Sequence, residues 1–274
     1  MTDMIPYHVV DAFTDQTFAG NPAGVCVLTN ALPEASMQSV AAENNLAETA
    51  FVVVHGDTAG LRWFTPTQEV DLCGHATLAA AHVLFQHHDW PHPAVRFTTQ
   101  SAGDLVVERD GPRLKMDFPA RPARPCPAPA GLADALGAKP GATPMHTARA
   151  RDLLAVFDHA DDVRALAPNM PAVAQLDAFA VIATAPSDGP ADNPAHDFVS
   201  RFFAPGGGVD EDPVTGSAHC TLAPYWADRL GKADLVGRQV SARGGTVFCE
   251  LRGDRVHLSG YAVTYLSGRL HLPG

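Results

Sequence analysis

The chain has 274 residues, 46% of them hydrophobic and 18% charged, with a formal net charge of −11. At roughly 100–200 residues per domain, that length suggests about two domains. The apolar content is enough for a core and excludes a disordered chain. The acidic balance gives no general electrostatic reason to bind nucleic acid or an anionic membrane surface.

Five cysteines, Cys26, Cys73, Cys126, Cys220 and Cys249, are scattered and form no C-x-x-C pair. Neither a disulfide framework nor a zinc ribbon is expected. The N-terminus lacks the basic start and apolar stretch of a signal peptide, and no apolar run reaches membrane-spanning length. A cytoplasmic protein is the expectation.

In chain order, residues 50–54 and 61–64 read as strands from their β-branched and alternating pattern. Residues 76–86 follow as a helix that is apolar nearly all round, as a buried helix would be. A hairpin is expected from 105–108 and 114–118 about Asp110-Gly111. Residues 119–145 form a Pro- and Ala-rich bridge with a short helix inside 130–138. A second helix is expected at 218–230, then a second hairpin from 247–251 and 256–258 about Gly253-Asp254.

These pieces repeat. Arg62-Trp63-Phe64-Thr65-Pro66 recurs as Arg201-Phe202-Phe203-Ala204-Pro205, and Val70-Asp71 recurs as Val209-Asp210 at the same offset. The second copy then takes three extra residues. Beyond them Gly74 matches Gly216, Ala76 matches Ala218, Gly103 matches Gly245 and Arg113 matches Arg255. The period is too long for a solenoid and fits a duplicated domain.

Gly74 and Gly216 each open a helix. Backbone N–H groups there lack helical partners and carry the positive end of the dipole. Glycine lets an anion approach, so two such turns across an interdomain cleft make a site for a small carboxylate. An ordinary glycine turn capped by Ser or Asp is the plainer reading of either turn alone. Glu48 precedes a strand between apolar flanks, where desolvation would raise its pKa toward that of a neutral-pH acid/base. A solvated surface glutamate is the plainer alternative. His75 is a candidate proton shuttle or substrate donor, or else a satisfied half-buried histidine. Asp212 precedes Gly216, as either a site residue or a turn-forming Asp-Pro. Cys73 sits where a helix dipole would lower a thiol pKa. The duplication places Thr215 at its counterpart, which removes a pair of opposed thiols but leaves one-thiol chemistry open. His82, His87 and His88 are close in sequence, and exposed helix-end histidines are a better reading of them than a metal site. Dinucleotide and phosphate loops, a nucleophile elbow and a metalloprotease helix are absent from the sequence.

Four motifs carry a family resemblance. Asp11-Ala12-Phe13-Thr14 with Phe18-Ala19-Gly20-Asn21-Pro22 comes first, then Asn45-Leu46-Ala47-Glu48-Thr49. Asp71-Leu72-Cys73-Gly74-His75-Ala76-Thr77 and Glu211-Asp212-Pro213-Val214-Thr215-Gly216-Ser217-Ala218 follow. In this order they resemble the PhzF family of phenazine-biosynthesis-like isomerases. The resemblance implies an α+β, diaminopimelate-epimerase-like fold of two pseudo-symmetric domains, each a β-barrel-like sheet around a central helix. With the duplication it divides the chain into residues 1–118 plus a returning strand at 262–274, and residues 119–261. It implies a cofactor-free, metal-free isomerase acting on a small carboxylate, commonly as a homodimer. Its acid/base glutamate falls on Glu48, its active-site histidine and aspartate on His75 and Asp212, and its carboxylate-binding turns on Gly74, Gly216 and Ser217. Two other readings stay open: an epimerase, racemase or dehydratase using Cys73 as its single base, and a binding protein that kept the fold without chemistry.

Overall fold

A computed structural model describes residues 4–189 and 195–272. Contacts divide the chain into two compact units, Met1–Asp117 with Ser259–Gly274, and Phe118–Leu258.

In the first unit the chain runs β1 (Met4–Ala12), β2 (Asn21–Leu28), α1 (Glu34–Asn44), β3 (Glu48–His55), β4 (Thr58–Phe64), β5 (Glu69–Val70), α2 (Gly74–His87), β6 (Ala94–Thr98), β7 (Asp104–Asp110) and β8 (Arg113–Pro119). The second unit contains β9 (Arg124–Pro125), α3 (Leu132–Ala135), β10 (His146–Arg149), β11 (Leu153–Val156), α4 (Ala160–Arg164), α5 (Met170–Val173), β12 (Val181–Pro186), β13 (Phe198–Ala204), β14 (Val209–Asp212), α6 (Gly216–Leu230), β15 (Asp234–Gln239) and β16 (Gly245–Arg252). β17 (Arg255–Gly260) leads back to the first unit, where β18 (Ala262–His271) ends the described chain.

The first unit winds its strands around α2. β1 pairs antiparallel with both β18 and β2, and β2 runs parallel to β3. β4 pairs antiparallel with β3 and parallel with β6, and the β6–β7–β8 meander follows. Helix α2 packs on β1, β2, β3, β7 and β18. Leu78, Ala79, Ala80, Ala81, Val83 and Leu84 are all fully buried, because strands cover the helix on most sides. Its run of alanines keeps the helix thin enough for backbones to close on it.

The second unit repeats that pairing. β10 pairs antiparallel with β9 and β11, β11 runs parallel to β12, and β13 pairs antiparallel with β12 and parallel with β15. The two-residue β9 takes the place that the ten-residue β18 holds in the first unit. The helix expected inside residues 130–138 is a single turn, Leu132–Ala135.

The register relocates the insertion between the copies. Phe64 pairs with Glu69, and Phe203 pairs with Glu211. Arg62 forms a two-pronged pair with Glu69 (both contacts 2.6 Å), and Arg201 does the same with Glu211 (2.7 and 2.8 Å). Glu211 is therefore the counterpart of Glu69, and Asp212 stands where the first copy has Val70. The three extra residues lie before Glu211, in the turn Pro205–Gly207 and its flanks, not after Asp210. Matching residue letters had misplaced them because Val-Asp recurs by coincidence beside the insertion.

The histidines at the end of α2 are not all exposed. His82 is half-buried with Nε2 2.9 Å from Thr264 Oγ1, and exposed His87 reaches the same hydroxyl at 2.9 Å. His87 also stacks on the buried His8 ring at 4.5 Å. Burial, with the neighbouring histidines, pushes His8 and His82 down to about 4, so both are neutral at physiological pH.

Candidate active site

Glu48 is the first residue of β3, not a loop residue before it, and pairs in register with Ala23 of the parallel β2. That strand start fixes its carboxylate against the opening turn of α2. Glu48 Oε2 lies 3.1 Å from His75 Nε2, with the Glu48 and His75 side chains only 16% and 7% exposed. Cys73 Sγ lies 3.5 Å from His75 Nδ1 and 4.0 Å from Nε2. The first unit thus brings Glu48, Cys73, Gly74 and His75 together.

Asn21 is a member of this cluster to which the sequence assigned no role. It opens β2 and places Nδ2 3.2 Å from His75 Nδ1. The motif before it is a scaffold. Buried Asp11 accepts the Phe18 N–H at 2.9 Å, and Gly20 turns the chain at φ +65°. Its place in a Gly-Asn-Pro turn was the available signal, but turn chemistry explains those residues equally well.

Two expectations about charge are corrected here. Burial alone would raise Glu48, but the charge and hydrogen bonding of His75, with Cys73, hold its pKa below the ordinary 4.5. The helix start does not prevail at Cys73, although the Ala76 N–H there favours the thiolate. Burial, and then the Glu48 charge, push that thiol up to about 11 against the pull of His75. For His75, burial disfavours the cation, yet Cys73 and Glu48 prevail and its pKa stands well above 6.5. With the thiol neutral at pH 7, Glu48 is the counter-charge: a carboxylate–imidazolium pair beside a protonated thiol. The charged ring needs an acceptor at Nδ1, which Cys73 Sγ supplies, as would the Asn21 oxygen on a flip of that amide.

The second unit holds the other set. Asp212 ends β14, and its Oδ2 accepts the Thr215 hydroxyl at 2.5 Å. Buried Gln239 fixes this turn by accepting the Thr215 N–H at 2.9 Å and donating to the Asp212 carbonyl at 2.6 Å. Ser217 is half-buried one residue into α6, and Arg151 Nη2 lies 3.5 Å from its hydroxyl. Gln239 and Arg151 lie in stretches with no motif, so nothing in the sequence pointed to them.

The two helix starts share one construction. Cys73 and Thr215 are extended N-cap residues, and neither α2 nor α6 has a side-chain cap. The Ser or Asp cap of the plainer reading is therefore not formed. Instead a side chain one turn on bonds the N-cap carbonyl: Thr77 donates to Cys73 O at 2.6 Å, and His219 Nδ1 to Thr215 O at 2.8 Å. Burial pushes His219 down to about 4, so it is a neutral structural donor. First-turn N–H groups without a side-chain cap suit an anion at each helix start.

The PhzC-PhzF family, described as "Phenazine biosynthesis-like protein", matches residues 10–268. The chain belongs to the PhzC-PhzF family. A Pseudomonas aeruginosa member named "Uncharacterized isomerase PA2770" is 50% identical over 263 residues, 96% of this chain and 97% of its own. A phenazine biosynthesis-like domain-containing protein of Bos taurus is 38% identical, over 97% of this chain and 99% of its own. The crystal structure of a PhzF-family protein of Enterococcus faecalis superposes with a TM-score of 0.92 at 43% identity, covering 98% of this chain and all of that one. A hydroxyproline epimerase of Agrobacterium vitis, at 11% identity and a TM-score of 0.57, shares the fold alone. PhzC-PhzF membership makes this an isomerase with the α+β, diaminopimelate-epimerase-like fold. No helix among the described residues is long and apolar enough to cross a membrane.

Proposed function

We propose that this PhzF-type isomerase moves one proton on a small carboxylate substrate of the dihydro-hydroxyanthranilate kind, without a cofactor. The observation that supports the reading most is the buried Glu48–His75 contact at 3.1 Å. It keeps Glu48 ionised, so the carboxylate is ready to accept a proton from carbon. In the proposed sequence Glu48 takes a C–H proton while that bond's electron pair moves into the conjugated system. The protonated Glu48 then returns the proton to another carbon. His75 supplies positive charge beside the base and orients it. The uncapped start of α2 at Gly74, next to Glu48 and His75 in the same unit, receives the substrate carboxylate. In the second unit Asp212, held by the Thr215 hydroxyl, and the uncapped α6 start at Gly216 and Ser217 offer a polar group and N–H donors of the same kinds. The same proposal has the chain act as a cytoplasmic homodimer on a free small molecule.

The test is isotopic. A substrate deuterated at the donor carbon should slow the wild-type enzyme by a primary isotope effect, and its label should be carried by Glu48 to the newly protonated carbon except where the Glu48 carboxyl exchanges with solvent first. A double bond that migrates with no isotope effect, in an enzyme whose Glu48→Gln variant remains fully active, would refute Glu48 as carrier.

A one-thiol mechanism deserves its own measurement, since Cys73 touches His75. A thiol raised to about 11 is almost wholly protonated at pH 7 and is a poor base. Cys73→Ser is therefore expected to lower kcat by no more than about tenfold, whereas loss of the sole base would cost about 10²–10⁴-fold. A loss in that larger range transfers the role of base from Glu48 to Cys73.

The pH profile follows from the same pair. Glu48 is below its ordinary value, so kcat/KM should hold on acidification until pH falls beneath the usual carboxylate range. His75 is raised, so its charged form persists past 6.5 and the alkaline limb lies above that value. The expected profile is flat through neutrality. An acid limb near neutral pH, as a raised glutamate would give, contradicts the pairing.

A further inference from the structure

We propose that Glu48, Cys73 and His75 form a binding site for a thiophilic divalent cation of the zinc class, which would occupy the atoms the proton transfer needs. One ligand atom from each of these three residues lies within 4.8 Å of the other two. His75 Nε2 is 3.1 Å from Glu48 Oε2 and 4.0 Å from Cys73 Sγ. Tetrahedral zinc, with bonds of about 2.3 Å to sulfur and about 2.0–2.1 Å to nitrogen and oxygen, sets its ligands roughly 3.3–3.6 Å apart. The two separations at His75 Nε2, 3.1 and 4.0 Å, need shifts of only a few tenths of an ångström to reach that spacing.

The donor set decides which cations fit. One thiolate, one imidazole and one carboxylate oxygen suit zinc, cadmium or cobalt, whereas magnesium and calcium require several oxygens. Three protein ligands leave the fourth position to water or to an added anion. The supporting contacts are already present. With its amide flipped so that the oxygen accepts from Nδ1–H, Asn21 at 3.2 Å would leave Nε2 free and directed at Glu48, the arrangement that orients a histidine ligand. Glu48 Oε2 is buried and faces His75 Nε2 at 3.1 Å, so coordination would exchange that ion pair for bonds from both residues to one cation. On binding, the Cys73 thiol proton and the second imidazolium proton leave to solvent, and the sulfur and nitrogen lone pairs pass to the metal. The histidines at the end of α2 offer no rival set, because His82 and His87 both direct Nε2 to Thr264.

The experiment is a titration of the purified protein with Co²⁺, followed by Zn²⁺ as competitor. It needs no substrate, so its outcome is separable from that of the isomerase proposal. A thiolate-to-cobalt charge-transfer band is expected, saturating at one equivalent and lost when zinc is added. Cys73→Ser should abolish the band and weaken zinc binding at least about tenfold, and Glu48→Gln should weaken it by a similar factor. His87→Ala should leave the band unchanged. Absence of the band in the wild type overturns the site. So does a band that survives Cys73→Ser, which would place the cation on another thiol such as the half-buried Cys126.

Discussion

Glu48→Gln is expected to lower kcat about 10²–10⁴-fold, the range over which a positioned general base contributes. Folding and carboxylate binding should persist. The amide is nearly isosteric, and its oxygen still accepts from His75 Nε2 across the 3.1 Å contact. What disappears is the negative charge able to take a proton from carbon. In the proposed mechanism the carboxylate is received at the α2 start and not by Glu48, so the Kd of a carboxylate analogue should change by less than about tenfold. His75 also loses its counter-charge, and with burial now less opposed its pKa should fall. Steady-state kinetics, analogue titration and a histidine NMR titration check the three parts. Retention of kcat would remove Glu48 from the chemistry. Loss of kcat together with analogue binding would instead make it a binding residue.

Gly20→Ala should damage both fold and site, through a residue far from any reacting atom in the sequence. Gly20 has φ +65°, and a Cβ there would sit 2.2 Å from the Ala12 carbonyl oxygen and 2.6 Å from Thr14 Cγ2. The left-handed conformation costs an alanine about 1–2 kcal/mol. Relieving the clash against backbone adds about 1–3 kcal/mol of overpacking. The expected total of about 2–5 kcal/mol lowers Tm by roughly 5–15 °C for a chain of this size. The turn that must shift carries Asn21, which orients His75, so kcat should fall in the surviving folded protein. Differential scanning calorimetry and kinetics below the transition measure the two effects separately. An unchanged Tm would mean that β1 and its turn yield more easily than their burial implies.

Much of this was legible from residues alone. The duplication showed as recurring motifs, and each copy's central helix was readable because α2 is apolar nearly all round. Glu48, His75 and Asp212 were candidates through the motifs that carry the family resemblance, and the fold brings Glu48 and His75 into contact. Asn21, Gln239 and Arg151 were not candidates, because a buried amide or a lone arginine has no pattern. Their importance depends on which backbone they meet. The insertion was misplaced for a similar reason: residue letters do not record which residues pair, whereas the Arg–Glu forks and the sheet register do.

The sequence by itself determined a two-copy, sheet-rich isomerase fold and a short set of candidate residues. The duplication follows from recurring motifs, and the isomerase fold and the candidate residues from four motifs that resemble a known family, all of them local along the chain. Only the tertiary structure decided the charge states. Glu48 looked like a carboxyl raised by burial, and Cys73 like a thiol lowered by a helix dipole, yet both shift the other way. The physical reason is that a pKa is set by neighbours within a few ångströms. The neighbour that matters to Glu48 is His75, on another element and brought to 3.1 Å only by folding.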